Sequence, residues 1–88
     1  MKFPKLFLLI LMLSSINARA DLFNVMDYGA AGDGVTLDTK AVQTAINKCS
    51  ESGGGTVLIP GSRVVLIGTI YLKDHVTLHV ENGGILLG

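Results

Sequence analysis

The 88-residue sequence contains no tryptophan, one cysteine, two prolines, three phenylalanines and two tyrosines. The lone cysteine, Cys49, excludes an internal disulfide, and with it the bridge-stapled scaffolds on which small secreted domains usually rely. A surplus of basic charge is also missing, since seven Lys and Arg balance seven Asp and Glu. The longest unbroken apolar run, residues 6–13, has eight members, far fewer than the roughly 20 needed to cross a bilayer. Glycine is what the chain has instead: eleven residues, six of them in two clusters on either side of a helical pattern.

Lys2 and Lys5 stand before and beside the apolar run, and Ala18-Arg19-Ala20 supplies small residues at the spacing a signal peptidase requires. Residues 1–20 therefore read as a cleaved secretory signal, which sends the mature chain, starting at Asp21, to a secreted or periplasmic location. A membrane anchor is the alternative, disfavoured by the short run. Without Lys2, Lys5 and Arg19, four basic residues (Lys40, Lys48, Arg63, Lys73) face seven acidic ones, a net charge of 4 − 7 = −3. Neither nucleic acid nor an anionic membrane surface is attracted to such a chain. The remaining 68 residues (88 less 20) are marginal for an independent core. Either they fold alone by a thin margin or they belong to something longer.

The stretch from Tyr28 to Pro60 organises the rest. Residues 22–25 read as a short strand leading into Tyr28-Gly29-Ala30-Ala31-Gly32-Asp33-Gly34, where three glycines within six positions demand tight backbone geometry. Gly32-Asp33-Gly34 is no dinucleotide fingerprint, because Leu37 occupies the place of the third glycine and no βαβ unit surrounds it. Asp33 and Asp38 do not match the alternating oxygen ligands of an EF-hand loop. The pattern instead gives Asp33 the task of bonding local backbone amides, with Gly32 and Gly34 as turn glycines at positive φ.

Asp38 or Thr39 is the expected N-cap, a side-chain oxygen accepting from the first free amides of a helix. A strict capping box fails, because Val42 stands three residues after Thr39. Positions 41, 42, 45, 46 and 49 are apolar or small and share one side of a 3.6-residue period. Lys40, Gln43, Thr44, Asn47, Lys48 and Glu51 fall mostly on the other, which predicts a helix over 39–52 with one buried face. Cys49 lies on that face as a packed thiol, with a disulfide to a residue beyond Gly88 as the alternative. Gly53-Gly54-Gly55 follows the helix, whereas phosphate cradles form at helix N-termini. The triple glycine is thus read as a C-cap and sharp turn.

From Thr56 the period switches to 2, and strands are expected at 56–59, 64–67, 70–72, 76–80 and 85–87. Their starts lie 8, 6, 6 and 9 residues apart, a spacing that suits a sandwich, a small barrel or a β-solenoid. His75 and His79 have the four-residue spacing of helical zinc ligands. On a strand that spacing spans about 13 Å, too far for one metal to be held by both. Both histidines are read as surface residues, and neither a metal nor a cofactor is implied.

Phe23-Asn24-Val25, Asp27-Tyr28-Gly29-Ala30, Gly32-Asp33-Gly34, Asp38-Thr39, Ala45-Ile46 and Gly53-Gly54-Gly55-Thr56-Val57 with Pro60 resemble the N-terminal part of pectin-degrading parallel β-helix enzymes. Leu72-Lys73, Val76-Thr77-Leu78-His79 and Gly83-Gly84-Ile85-Leu86-Leu87-Gly88 are similar to the first coils of family 28 glycoside hydrolases, the polygalacturonases. The resemblance covers residues 22–88, departing at Asp74 and Gly84, where Ser and Ala are commoner, and at Arg63-Val64-Val65, where an aromatic is common.

The resemblance implies a mainly β fold, a right-handed parallel β-helix. Residues 21–88 would form its N-terminal cap and first coils, the helix covering an end that would otherwise expose apolar core and strand edges. It also implies that the full-length parent is a monomer acting on a pectin-type polysaccharide. There one carboxylic acid protonates the leaving oxygen and a carboxylate base activates water, with inversion. The family's signatures are Asn-x-Asp, an adjacent Asp pair, Gly-His-Gly and Arg-x-Lys, and none occurs here. No catalytic residue is therefore assigned; Gly29, Gly32, Asp33, Gly34, Asp38, Thr39, Gly53, Gly54 and Gly55 are structural candidates. The expectation is the scaffold-only N-terminal fragment of a secreted pectin-degrading hydrolase. The alternatives are a fragment of a related β-helix lyase or epimerase, or a non-enzymatic β-helix binding protein.

Overall fold

A computed structural model describes residues 21–88; the secretory leader assigned to residues 1–20 lies outside the described residues. Among the described residues, six strands and one α-helix follow in the order β1 (Asp21–Asn24), a 3-10 helix (Val25–Tyr28), β2 (Asp33–Leu37), α1 (Thr39–Glu51), β3 (Gly55–Ile59), β4 (Val64–Leu66), β5 (Val76–Val80) and β6 (Ile85–Leu87). Successive strands alternate between two sheets, ordered β1-β3-β5 and β2-β4-β6, and every pairing is parallel. The chain therefore advances by one strand spacing, about 4.8 Å, each time it returns to the same sheet.

Two of the strand pairings share one repeat length. Gly55 pairs with Val76 and Val64 with Ile85, both 21 positions on. Asp21 pairs with Gly55, 34 positions on, and the surplus of 13 equals the length of α1. The helix is thus an insertion in the first turn.

Parallel stacking puts like positions in columns. Phe23, Val57 and Leu78 form one, Ile59 and Val80 another, Val65 and Leu86 a third. Val57, Ile59, Val65 and Ile67 meet Val25, Ala30 and the helix residues Ala41, Val42, Ala45, Ile46 and Cys49 in one buried cluster. The helix face expected from the period is therefore the face that is buried, packed over β1, β3 and the 3-10 helix.

The structure corrects the sequence reading in three places. First, the strand expected over 22–25 ends at Asn24, whose side chain accepts from the Met26 amide (2.9 Å) and turns Val25 into the 3-10 helix. Second, residues 33–37, read as loop, form β2. Its register against β4 shifts between Asp33 and Leu37, so five residues stand opposite three. Third, no strand forms over residues 70–72, because a helix side chain takes the backbone groups of Tyr71. The helix itself ends at Glu51, with Ser52 as its C-cap.

Candidate functional site

The polar side chains of the first turn gather at the glycine loop and the start of α1. In β2 the residues between Asp33 and Leu37 have no register partner on β4, so their amides need other acceptors. Asp33 supplies them. Its Oδ1 accepts from the Val35 amide at 2.9 Å and the Thr36 amide at 2.7 Å, and its Oδ2 accepts from the Thr36 hydroxyl at 2.9 Å. The bond from the Thr36 amide, followed by that from Val35, holds the carboxyl below its ordinary range.

Asp38 sits at the N-cap of α1 but does not cap it with its side chain, which corrects the expected role. At φ −101° and ψ 17° it lies outside the extended geometry of a capping residue. Its carboxylate turns back to the glycine loop, accepting from the Ala31 amide at 2.9 Å and the Gly32 amide at 3.0 Å. It is 3 % exposed, and those two donors satisfy it. Thr39 does not cap through its side chain either: its Oγ1 accepts from the Gly68 amide at 2.8 Å, tying α1 to the following turn.

The triple glycine has separable parts. Gly53 and Gly54 close α1, the Gly53 amide donating to Ser50 O and the Gly54 amide to Cys49 O, both at 3.0 Å, the paired bonds of a Schellman motif. A Cβ on Gly54 would lie 2.7 Å from the His75 carbonyl oxygen, so the next turn approaches too closely for any side chain. Gly55 begins β3, its amide donating to that same carbonyl at 3.0 Å. Gly29 ends the 3-10 helix, and Gly32 and Gly34 flank Asp33 at positive φ.

Other chemistry-bearing residues stay apart. His79 is exposed on β5 and His75 is exposed in the loop before it. Among the described residues no group of three or more His, Cys, Asp or Glu is placed to hold a metal. Cys49 is free and buried in the core, and burial, with a smaller contribution from the Asp21 charge, pushes its thiol up. Gln43 is a contact the sequence reading missed. Its amide donates to Tyr71 O at 3.0 Å and accepts from the Tyr71 amide at 2.7 Å, as a paired strand would. Asn47 accepts from it at 3.1 Å. The i,i+4 spacing of Gln43 and Asn47 is the only local sign of this clamp. The arrangement can organise backbone, but both aspartates are engaged by nearby donors.

Residues 22–79 match the sequence profile of the family described as rhamnogalacturonase A/epimerase, pectate lyase-like. The chain belongs to that family. A probable polygalacturonase from Vitis vinifera is 36% identical over 77 residues, an alignment that takes in 84% of this chain and 16% of the relative. A family 28 exopolygalacturonase from Yersinia enterocolitica superposes with a TM-score of 0.71 at 42% identity, over 78% of this chain and 12% of that one. The A-module of a mannuronan C-5 epimerase from Azotobacter vinelandii does so with a TM-score of 0.68 at 34% identity, over 73% and 19%. These family neighbours are parallel β-helix proteins. The chain spans less than a fifth of the length of each.

Proposed function

We propose that this chain is the N-terminal part of a secreted, polygalacturonase-like glycoside hydrolase. Residues 21–88 form the cap and first coils of a right-handed parallel β-helix whose active site is built by later coils. The observation that carries this reading is the 21-position register of parallel turns closed at one end by an inserted helix. In the described turns Asp33 and Asp38 satisfy backbone amides, and inverting hydrolysis needs two carboxyl groups roughly 6.5–9.5 Å apart across a sugar. The substrate class is a pectin-type polysaccharide, the reaction is hydrolysis of galacturonosyl linkages, and the complete enzyme is a monomer in the secreted or periplasmic space. Nucleic acid and membrane are not partners of the acidic mature chain.

A second reading, a β-helix lyase or epimerase, is favoured by the likeness to the mannuronan epimerase module. The reading frame following the Gly88 codon separates the two. An open frame carrying Asn-x-Asp, Asp-Asp and Gly-His-Gly supports the hydrolase; carboxylate clusters suited to calcium support the lyase or epimerase. A stop codon with no such frame overturns the fragment reading. Residues 21–88 expressed alone are expected to release no reducing sugar from polygalacturonate, and measurable release would overturn the assignment of a scaffold without an active site.

A further inference from the structure

Tyr71 is 69 % exposed, yet its backbone is held at both polar groups by one helix side chain. An exposed aromatic on a free loop has no fixed orientation, but here Gln43, itself bonded to Asn47, fixes the loop against α1. Leu72 beside it is 58 % exposed, so the loop presents two adjacent apolar side chains to solvent. Positive charge borders them. Lys73 follows Leu72 and is exposed, and exposed Lys40 stands three residues before Gln43, its neighbour on the helix surface. Asp74 is the one acidic residue in the same loop, so the local balance is positive on a mature chain that is acidic as a whole.

We propose that Tyr71 is a carbohydrate-stacking platform on the flank of the helical cap, and that it takes one residue of a uronate polysaccharide. The inference rests on the polysaccharide substrate class proposed above, with galacturonan as the favoured chain. A pyranose ring has an apolar C–H face that lies flat on an aromatic ring, and tyrosine adds a polar tip at the water boundary. The side-chain amides of Gln43 and Asn47 lie at the edge of the platform. The ammonium groups of Lys40 and Lys73 complement the carboxylates that a uronate chain carries at every residue. Such a contact holds the polymer to the scaffold.

Affinity electrophoresis of the protein expressed from its own gene, in gels cast with polygalacturonate or alginate, tests this. The wild type should be retarded by polygalacturonate, and Tyr71→Ala should weaken retardation about five-fold or more. Tyr71→Phe keeps the ring and should stay within about two-fold of wild type. Lys73→Gln should bind more weakly at low salt and differ little at high salt, since screening removes its contribution. Circular dichroism of each variant should match the wild type, because the ring is exposed. Equal retardation of wild type and Tyr71→Ala overturns the platform, as does a Tyr71→Phe as weak as Tyr71→Ala. A Tyr71-dependent retardation in alginate alone supports the platform but removes galacturonan as its ligand. No retardation in either gel overturns the platform and leaves the hydrolase reading to its own test.

Discussion

Ile59 and Val80 occupy the same column on adjacent strands, yet Ile59 is fully buried and Val80 is 39 % exposed. The difference is what lies over each. Val57, Ile59 and Val65 sit among α1, the 3-10 helix and strands on both sides. On β5, by contrast, Val80 is exposed although the strand keeps its apolar alternation at 76, 78 and 80. Sequence pattern alone therefore does not bury a residue in this fold; a neighbouring layer does. The thirteen-residue helix provides that layer at one end by giving its apolar stripe to the first turns.

Four substitutions sharpen or break that contrast. Within residues 21–88, Ile59→Ala should cost about 2–5 kcal/mol, because it opens a cavity within a closed cluster, whereas Val80→Ala, on the outermost strand, should cost less than about 1 kcal/mol. Urea unfolding followed by circular dichroism would measure both, and equal losses would mean that the helix covers nothing of consequence. Asp38→Ala should cost about 1–3 kcal/mol by stranding the Ala31 and Gly32 amides at the junction of loop and helix. Asp38→Asn should recover part of that, since one carbonyl oxygen can replace only one of the two accepting oxygens.

Asp33 gives the smallest effect. Its carboxyl is depressed from an ordinary 3.8 by amide bonds, so its contribution to stability is fully present above that value. The contribution fades as pH falls through the lower folded value. The carboxyl-carbon shift of Asp33 should titrate below 3.8, and Asp33→Asn should flatten the acid limb of the stability profile. A midpoint at the ordinary value would remove Asp33 from its role in β2.

The helix was legible because its signal is local. Positions 41, 42, 45, 46 and 49 repeat at 3.6, and those five are its buried residues. The strand at 76–80 was legible for the same reason, its alternation being intact, and that at 85–87 as a short apolar run set off by glycines. β2 was hidden because its bulge puts Gly34, Val35 and Thr36 opposite a shorter segment, and Val35 and Leu37 face solvent. Only the pairing with β4, distant in sequence, makes it a strand. Residues 70–72 misled in the opposite way, having strand composition but a helix side chain where a strand partner would be. The loop aspartates were found by residue type, but not their division of labour. Asp38 looked like a cap and became a brace, since its acceptors reach back six and seven residues along the chain.

The 21-position pairing of β3 with β5 and of β4 with β6 also works as a ruler for tolerated change. One residue added inside β3 or β5 would invert every side chain beyond it, sending the Val57 or Leu78 position outward and its neighbour into the interior. The segment from Thr39 to Glu51 already carries thirteen residues that the ruler does not count, and both strands flanking it still find their partners. Length in this architecture is therefore freer between strands than within them, where β2 absorbs its extra residues only as a bulge. Insertions that add loops to the flank of such a solenoid can change what it touches while leaving its interior columns in step.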